Sequence, residues 1–182
     1  MDINEVNAKI KEFLKFQQQY VSEDAPDVMG TEAVKHYKNS FVDEGFTDEI
    51  LEPWREVERR KPESKWYGFS YKSNSAIPGK KAKKGNAKSN FSPARTNDKI
   101  LTGETNELSN SISYVKKTDR VTVRSDKPYS KIQNEGGLGK VFGKSSFIMP
   151  ARPFIRDSKQ LREKIIAKFK RDVQSKRKEL GL

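Results

Sequence analysis

Tyr129-Ser-Lys-Ile-Gln-Asn-Glu-Gly-Gly137, followed by Ile148-Met-Pro-Ala-Arg-Pro-Phe154, decides how this chain reads. Tyr129 and Ile132 stand three apart, as on one face of a helical turn, and Gly136-Gly137 supplies the stop. Gly139, Gly143 and Lys144 read as a mobile loop, and Phe147, Ile148 and Met149 as an apolar, strand-like run ending at Pro150. No nucleophile stands beside a base here, and no glycine-rich loop cradles a phosphate. The pattern is that of a segment that sets geometry. Tyr129, Glu135, Gly136, Gly137 and Arg152 are therefore the candidate geometry-setting or subunit-interface positions. Two readings stand for Arg152: a bridge to a carboxylate of the same or the next subunit, or a solvated charge between two prolines. Gly136 and Gly137 read as a backbone turn.

Downstream lies the clearest helix. Leu161, Ile165, Phe169 and Val173 recur every four residues, with Ile166 widening the stripe, and the other faces carry Arg162, Lys164, Lys168, Lys170 and Arg171. Asp157 and Gln160 have capping-box spacing, which places the helix over 158–180. The stripe reads as core, with a basic membrane-surface helix as the lesser alternative.

Upstream, Leu101 to Arg124 is the sheet-forming part. Thr105–Leu108 reads as a short helix or turn feeding a strand at 111–115, with a hairpin turn at Thr118-Asp119 and a return through Val121 and Val123. Ile112 and Tyr114 share a parity, so one side of the hairpin faces a core. Residues 61–100 form a Lys/Ser/Asn/Gly-rich loop or arm, in which Lys80, Lys81, Lys83, Lys84 and Lys88 have no nearby acid. A solvated loop is the favoured reading; the sharper one is an arm lying on DNA phosphates without sequence preference. Trp66, Tyr67, Phe69 and Tyr71 read as a short strand or an aromatic clamp.

Residues 1–60 read as helical. Ile3, Val6, Ile10, Phe13 and Leu14 share a face, Asp2 and Glu5 have capping-box spacing, and Ser22–Pro26 ends the helix or starts a turn. A second helix is expected from Thr31, as N-cap, to Phe41, with Ala33, Val34, Tyr37 and Phe41 inward, His36 at the surface or edge, and Gly45 as the break. Trp54 stands beside a proline turn. With 101–182 as sheet plus C-terminal helix, the fold class is α+β. One domain holds a small, mostly antiparallel sheet packed by an N-terminal helical region and a long C-terminal helix, with a long basic loop.

Composition narrows function. Among the 182 residues, Lys+Arg 37 against Asp+Glu 25 give a net charge of +12, and hydrophobic residues make up only 33%. Charged residues reach 34%, against about 25% in an ordinary domain. A core for only part of the chain follows, the rest being loop, solvated helix surface or interface buried on assembly, and the charge favours nucleic acid, a membrane surface or an acidic protein partner. Cys 0 excludes disulfides and thiolate metal sites, and His 1 removes most zinc and acid–base designs. No cofactor is implied. The acidic start, Met1-Asp-Ile-Asn-Glu5, lacks the basic region of a signal peptide, and no apolar run approaches a membrane span, so a soluble chain made in the cytoplasm is expected.

Four blocks in one order carry a resemblance over roughly Ala33 to Leu182: Asn39-Ser-Phe41 with Gly45-Phe-Thr-Asp48, Leu51 and Trp54; Thr105-Asn-Glu-Leu-Ser-Asn-Ser-Ile112; Pro128-Tyr129 through Gly137; and Pro150-Ala-Arg-Pro-Phe154. The chain resembles the Mu-like phage virion morphogenesis, or tail-completion, proteins. Asn106 stands where the family has glycine, or Thr102-Gly103 is the counterpart with two residues inserted. Ser130 replaces alanine, Gln133 replaces histidine, and Glu107, Ser109 and Asn110 fall where basic residues are common.

The resemblance implies a non-enzymatic virion protein. Its copies form a homo-oligomeric neck, head–tail joining or tail-completion ring around the DNA channel, beside neighbouring phage neck, portal or tail proteins and away from any membrane. Helices would pack on a mostly antiparallel sheet whose faces or edges meet between neighbours. Two other classes compete. A free-standing, sequence-nonspecific nucleic-acid-binding protein would use the lysines and aromatics. A carboxylate nuclease would use Asp43, Glu44, Asp48 and Glu49, which read instead as helix-end surface acids.

Overall fold

One continuous helical rod begins the computed structural model, which describes residues 2–70, 91–103, 105–117, 120–141 and 145–182. Helix α1 (Ile3–Gln19) passes through a π-helical turn (Tyr20–Asp24) straight into α2 (Ala25–Asp43). The expected break at Ser22–Pro26 is thus absent, and Thr31 lies mid-helix instead of capping one. Proline breaks a helix because it lacks an N–H and its ring strikes the carbonyl four residues back. The wider turn removes that conflict: the Ala25 N–H reaches back to the Tyr20 carbonyl, and Pro26 falls in the first turn of α2. Asp2 makes no side-chain cap on α1.

The π turn is fastened to the C-terminal helix α5 (Lys159–Glu179). Tyr20 is buried, donates to the Asp172 carboxylate at 2.7 Å, and meets the Phe169 ring edge-on at 5.9 Å. Burial first, then the Asp172 bond and charge, hold the Tyr20 hydroxyl far above the usual tyrosine range. Helix α5 begins one residue inside the expected span, but its cap differs. Ser158 accepts from the Leu161 N–H at 3.2 Å and donates to the Thr47 carbonyl at 3.0 Å, while Asp157 pairs with Arg162. Leu161 is buried, whereas Ile166 is 50% exposed and falls outside the stripe.

Among the described residues the strands form three separate antiparallel hairpins, so the α+β class holds with the sheet divided. Strands β1 (Gly45–Thr47) and β2 (Leu51–Pro53) pair first. Strands β3 (Ile112–Lys116) and β4 (Val121–Ser125) pair with Tyr114 opposite Val123. Strands β5 (Gly137–Val141) and β6 (Ser145–Met149) pair with Leu138 opposite Ile148. Gly139 therefore belongs to a strand and not to a loop. Its missing side chain leaves room for Phe147, whose ring would stand 2.4 Å from a Cβ there. Short helix α3 (Glu107–Asn110) begins two residues later than the expected 105–108, and α4 (Ser130–Glu135) forms the expected helical turn before Gly136.

The core gathers Phe41, Trp54, Ile100, Leu108, Ile112 and Phe154 from along the chain, each burial contributing about 1.5–3 kcal/mol. His36 belongs inside as well, only 6% exposed and edge-on to Phe46 at 5.7 Å. The inward face of α2 runs Gly30, Ala33, His36, Ser40, a stripe that an apolar-only reading misses. Burial, then the charge of Lys164, lowers the His36 pKa, leaving the ring neutral at pH 7.

Glu44 closes α2 in the left-handed region at φ 53 and serves three partners. Its carboxylate accepts the Arg60 fork and the Ile100 N–H, and its carbonyl accepts from the Trp54 N–H at 2.7 Å. Partial burial pushes this carboxyl up, but the Arg60 bonds, the Ile100 N–H and the Arg60 and Lys99 charges outweigh it. The net pKa is lowered. A group depressed on folding stabilises above its unfolded value and loses that contribution as pH falls through the folded one.

Two outcomes are expected. Glu44→Gln should cost about 1.5–3 kcal/mol at pH 7, and its difference from wild type in urea titrations should shrink as pH drops below the ordinary value of 4.5. Gly30→Ala should destabilise by about 1–3 kcal/mol despite the gain in helix propensity. The reason is that a Cβ on Gly30 would lie 2.3 Å from the Tyr114 ring. Thermal melts check this, and the loss should shrink in a Tyr114→Val background.

Candidate assembly surface

Helix α4 and the segment after β6 are locked together by one amide. Asn134 Oδ1 accepts from the Phe154 and Ile155 N–H groups, each at 2.9 Å, and its Nδ2 donates to the Ile155 carbonyl at 3.1 Å. Only an amide side chain presents acceptor and donor together in this way. The Arg152 N–H adds a bond to the Gln133 carbonyl at 2.9 Å, and Trp54 Nε1 donates to the Pro153 carbonyl at 2.8 Å. Phe154, 1% exposed, is pressed against Phe41 with ring centroids 5.2 Å apart. The two stretches singled out in the sequence are thus two halves of one clamp.

Gly136 is the place where those halves touch. At φ 73 it occupies backbone space that L side chains rarely adopt. A Cβ there would stand 2.7 Å from the Ala151 nitrogen and 2.8 Å from the Met149 oxygen. Gly137, at φ 132, has open space around its Cβ position and opens β5. Glu135 is exposed at the end of α4, and Tyr129, 40% exposed, is the residue before its first turn.

Arg152 is 6% exposed, which removes the solvated reading, and among the described residues its guanidinium bonds a carbonyl and no carboxylate. Its Nε and Nη2 donate to the Arg55 carbonyl at 3.4 and 3.2 Å, and Nη1 lies 4.0 Å from the Met149 sulfur. Burial first and the Arg55 charge next lower its pKa, with Glu56 opposing. Its methylenes and planar head fill the joint, and its charge rests on a carbonyl dipole.

From this clamped base the β5–β6 hairpin projects, and among the described elements it packs extensively on none beyond its own two strands. The opposed pair Leu138 and Ile148 is 68% and 82% exposed. Further apolar side chains stand in solvent along the rod, with Ile3 at 76% and Val21 at 69%. The expected inward face of α1 is therefore only partly covered by its own chain. Asn106 adopts φ 53, in the left-handed region that asparagine tolerates better than most side chains.

Other candidates scatter. Lys80, Lys81, Lys83, Lys84, Lys88 and Tyr71 lie outside the described residues. Trp66 and Phe69 meet edge-on at 5.1 Å, and Tyr67 packs on Phe91 at 5.9 Å, so these rings contact each other around a single bridge between residues 69 and 91. Glu44 is committed to Arg60, Asp48 accepts from the Lys159 N–H at 2.6 Å, and Glu49 pairs with Lys159 Nζ at 2.7 Å. These acids tie elements together, and among the described residues no group of three or more His, Asp or Glu is arranged to hold a metal. No helix among them is long and apolar enough to cross a membrane.

Sequence reasoning passed over Asn134, Glu44 and the Trp54–Pro153 bond as determinants. The signal available was residue type: an amide one residue before Glu-Gly-Gly, and an acid at a helix end followed by glycine. No protein-family model, curated protein or solved structure matches the chain.

Proposed function

We propose that this chain is a structural phage virion protein, closing with copies of itself into a neck, head–tail joining or tail-completion ring around the DNA channel. The observation that carries the reading is the β5–β6 hairpin, whose base is locked to the core and whose apolar pair Leu138–Ile148 stands in solvent. A rigid base that carries an exposed apolar cross-strand pair suits docking against a different patch on an identical neighbour. A head-to-tail contact of that kind, repeated by rotation, closes a ring. The four sequence blocks resembling tail-completion proteins support the same assignment. The clamp accounts physically for two of them.

In this reading the net charge of +12 serves the genome. Lys80, Lys81, Lys83, Lys84 and Lys88 are the proposed contacts to DNA phosphates, sequence-blind and weakened by salt.

The test is sedimentation velocity and negative-stain imaging of the purified chain at rising concentration. Wild type should form closed rings, and Leu138→Asp with Ile148→Asp should remain monomeric with an unchanged circular dichroism spectrum and melting temperature. Wild type that stays monomeric and retains DNA with a steep salt dependence would instead establish the free-standing nucleic-acid binder. Rings that persist in the double variant would place the contact elsewhere.

A further inference from the structure

Helix α5 sorts its charges by direction. Its inner side turns Leu161, buried, and Phe169 toward the rest of the chain, and the acid of its second half points the same way. Asp172 accepts from the Tyr20 hydroxyl at 2.7 Å and pairs with Lys168. Lys176 is likewise held, by Glu12 at 3.1 Å and Glu179 at 3.0 Å. Lys170, Arg171, Arg177 and Lys178, by contrast, are all exposed and form no ion pair among the described residues. At the helical repeat these four fall within about 120° of the circumference and about 12 Å of the length, with Gln174 between them. Glu163 shares their side but lies about two turns before Lys170.

Helix electrostatics explain half of this arrangement. Cations in the last turn are favoured by the negative end of the dipole, which accounts for Arg177 and Lys178. Lys170 and Arg171 lie about two turns from that end and draw no such support. Like charges gathered on one face raise the local potential and attract a polyanion. The chemistry of the face then selects which one. Protein interfaces are depleted of lysine and of charge at their centre, whereas this face sets Gln174 and Ser175 among its cations. The one large apolar side chain that α5 exposes, Ile166, lies a turn before them. A membrane-surface helix sinks its apolar stripe into lipid, but here Leu161 is buried within the chain and Phe169 meets Tyr20. A row of phosphates asks only for closely spaced cations.

We infer that the outward face of α5 binds the sugar–phosphate backbone of duplex DNA through Lys170, Arg171, Arg177 and Lys178. The inference rests on the proposed contact with the genome and adds to it a surface on a folded helix, distinct from Lys80, Lys81, Lys83, Lys84 and Lys88. Ring closure is not required. Because the apolar side of α5 is held by the body, the four side chains stay on one face before any DNA arrives, and binding does not have to order the backbone that carries them.

The experiment measures binding of the full chain to short duplex DNA of random sequence by fluorescence anisotropy across a series of salt concentrations. Three variants accompany wild type: K170Q/R171Q/R177Q/K178Q on α5, K117Q/R124Q/K131Q/K140Q as an equal charge change at exposed sites elsewhere, and K80Q/K81Q/K83Q/K84Q/K88Q. The α5 variant should keep the circular dichroism spectrum of wild type and bind about tenfold or more weakly. Its salt slope should fall by about 0.9 for each phosphate contact removed, so by about 3–4 in all. The K117Q/R124Q/K131Q/K140Q variant should keep most of the slope. Equal weakening of the α5 variant and that charge-matched one would overturn the assignment, since net charge alone would then explain binding. Loss confined to the K80Q/K81Q/K83Q/K84Q/K88Q variant would also overturn it while leaving the genome contact standing. A wild-type chain that ignores duplex DNA but binds phosphatidylserine vesicles would overturn both, with ring formation still read separately by sedimentation.

Discussion

The grip of the Asn134 amide on the backbone of Phe154 and Ile155 is the constraint on which the rest of this structure depends. Three bonds from one side chain fix the segment after β6 against α4, and a fixed segment carries Phe154 into the core beside Phe41 and Trp54. Without this amide two partly buried N–H groups and a carbonyl would lose their partner, at up to about 1–3 kcal/mol each. Gly136 permits the approach, since any side chain there would strike the Met149–Ala151 backbone. The hairpin between the two clamped ends therefore leaves the body at a set angle.

A second junction works by the same logic at the other end of the core. Glu44 ends α2 in the left-handed region, and its carboxylate and carbonyl reach Arg60, Ile100 and Trp54. The rod, the β1–β2 hairpin and the segment near residue 100 are thus tied at one residue. Trp54 joins the two junctions directly, donating to Pro153 while packing on Phe41. Polar side chains bonded to backbone groups hold distant segments here, which suits a chain with few apolar residues to bury.

Much of this was legible in the sequence, and the parts that were not share a cause. Long periodic segments declared themselves: the stripe through Leu161 and Phe169 marks α5, and the alternation through Ile112, Val121 and Val123 marks the β3–β4 hairpin. The rod was misjudged at Pro26, because a π turn that accommodates proline has no signature beyond the proline itself. His36 was placed outside because polarity stood in for position, although it lies on the Gly30–Ala33–Ser40 face. Arg152, read as a bridge to a carboxylate or as a solvated charge, is buried and within this chain bonds the Arg55 carbonyl. Pattern reveals which face is apolar; it is silent on which polar group meets which backbone atom. For that reason the stretches quoted from the sequence contain Asn134 and Trp54 without disclosing what they do.

The most direct measurement is native-state hydrogen exchange at the amides of Arg152, Phe154 and Ile155. If the clamp organises the body and presents the hairpin, these amides should exchange only through global unfolding, matching the slowest amides of β3 and rising in rate together with them in urea. Exchange of the three at rates typical of exposed loops, with β3 still protected, would show that the segment after β6 opens by itself and would contradict the account.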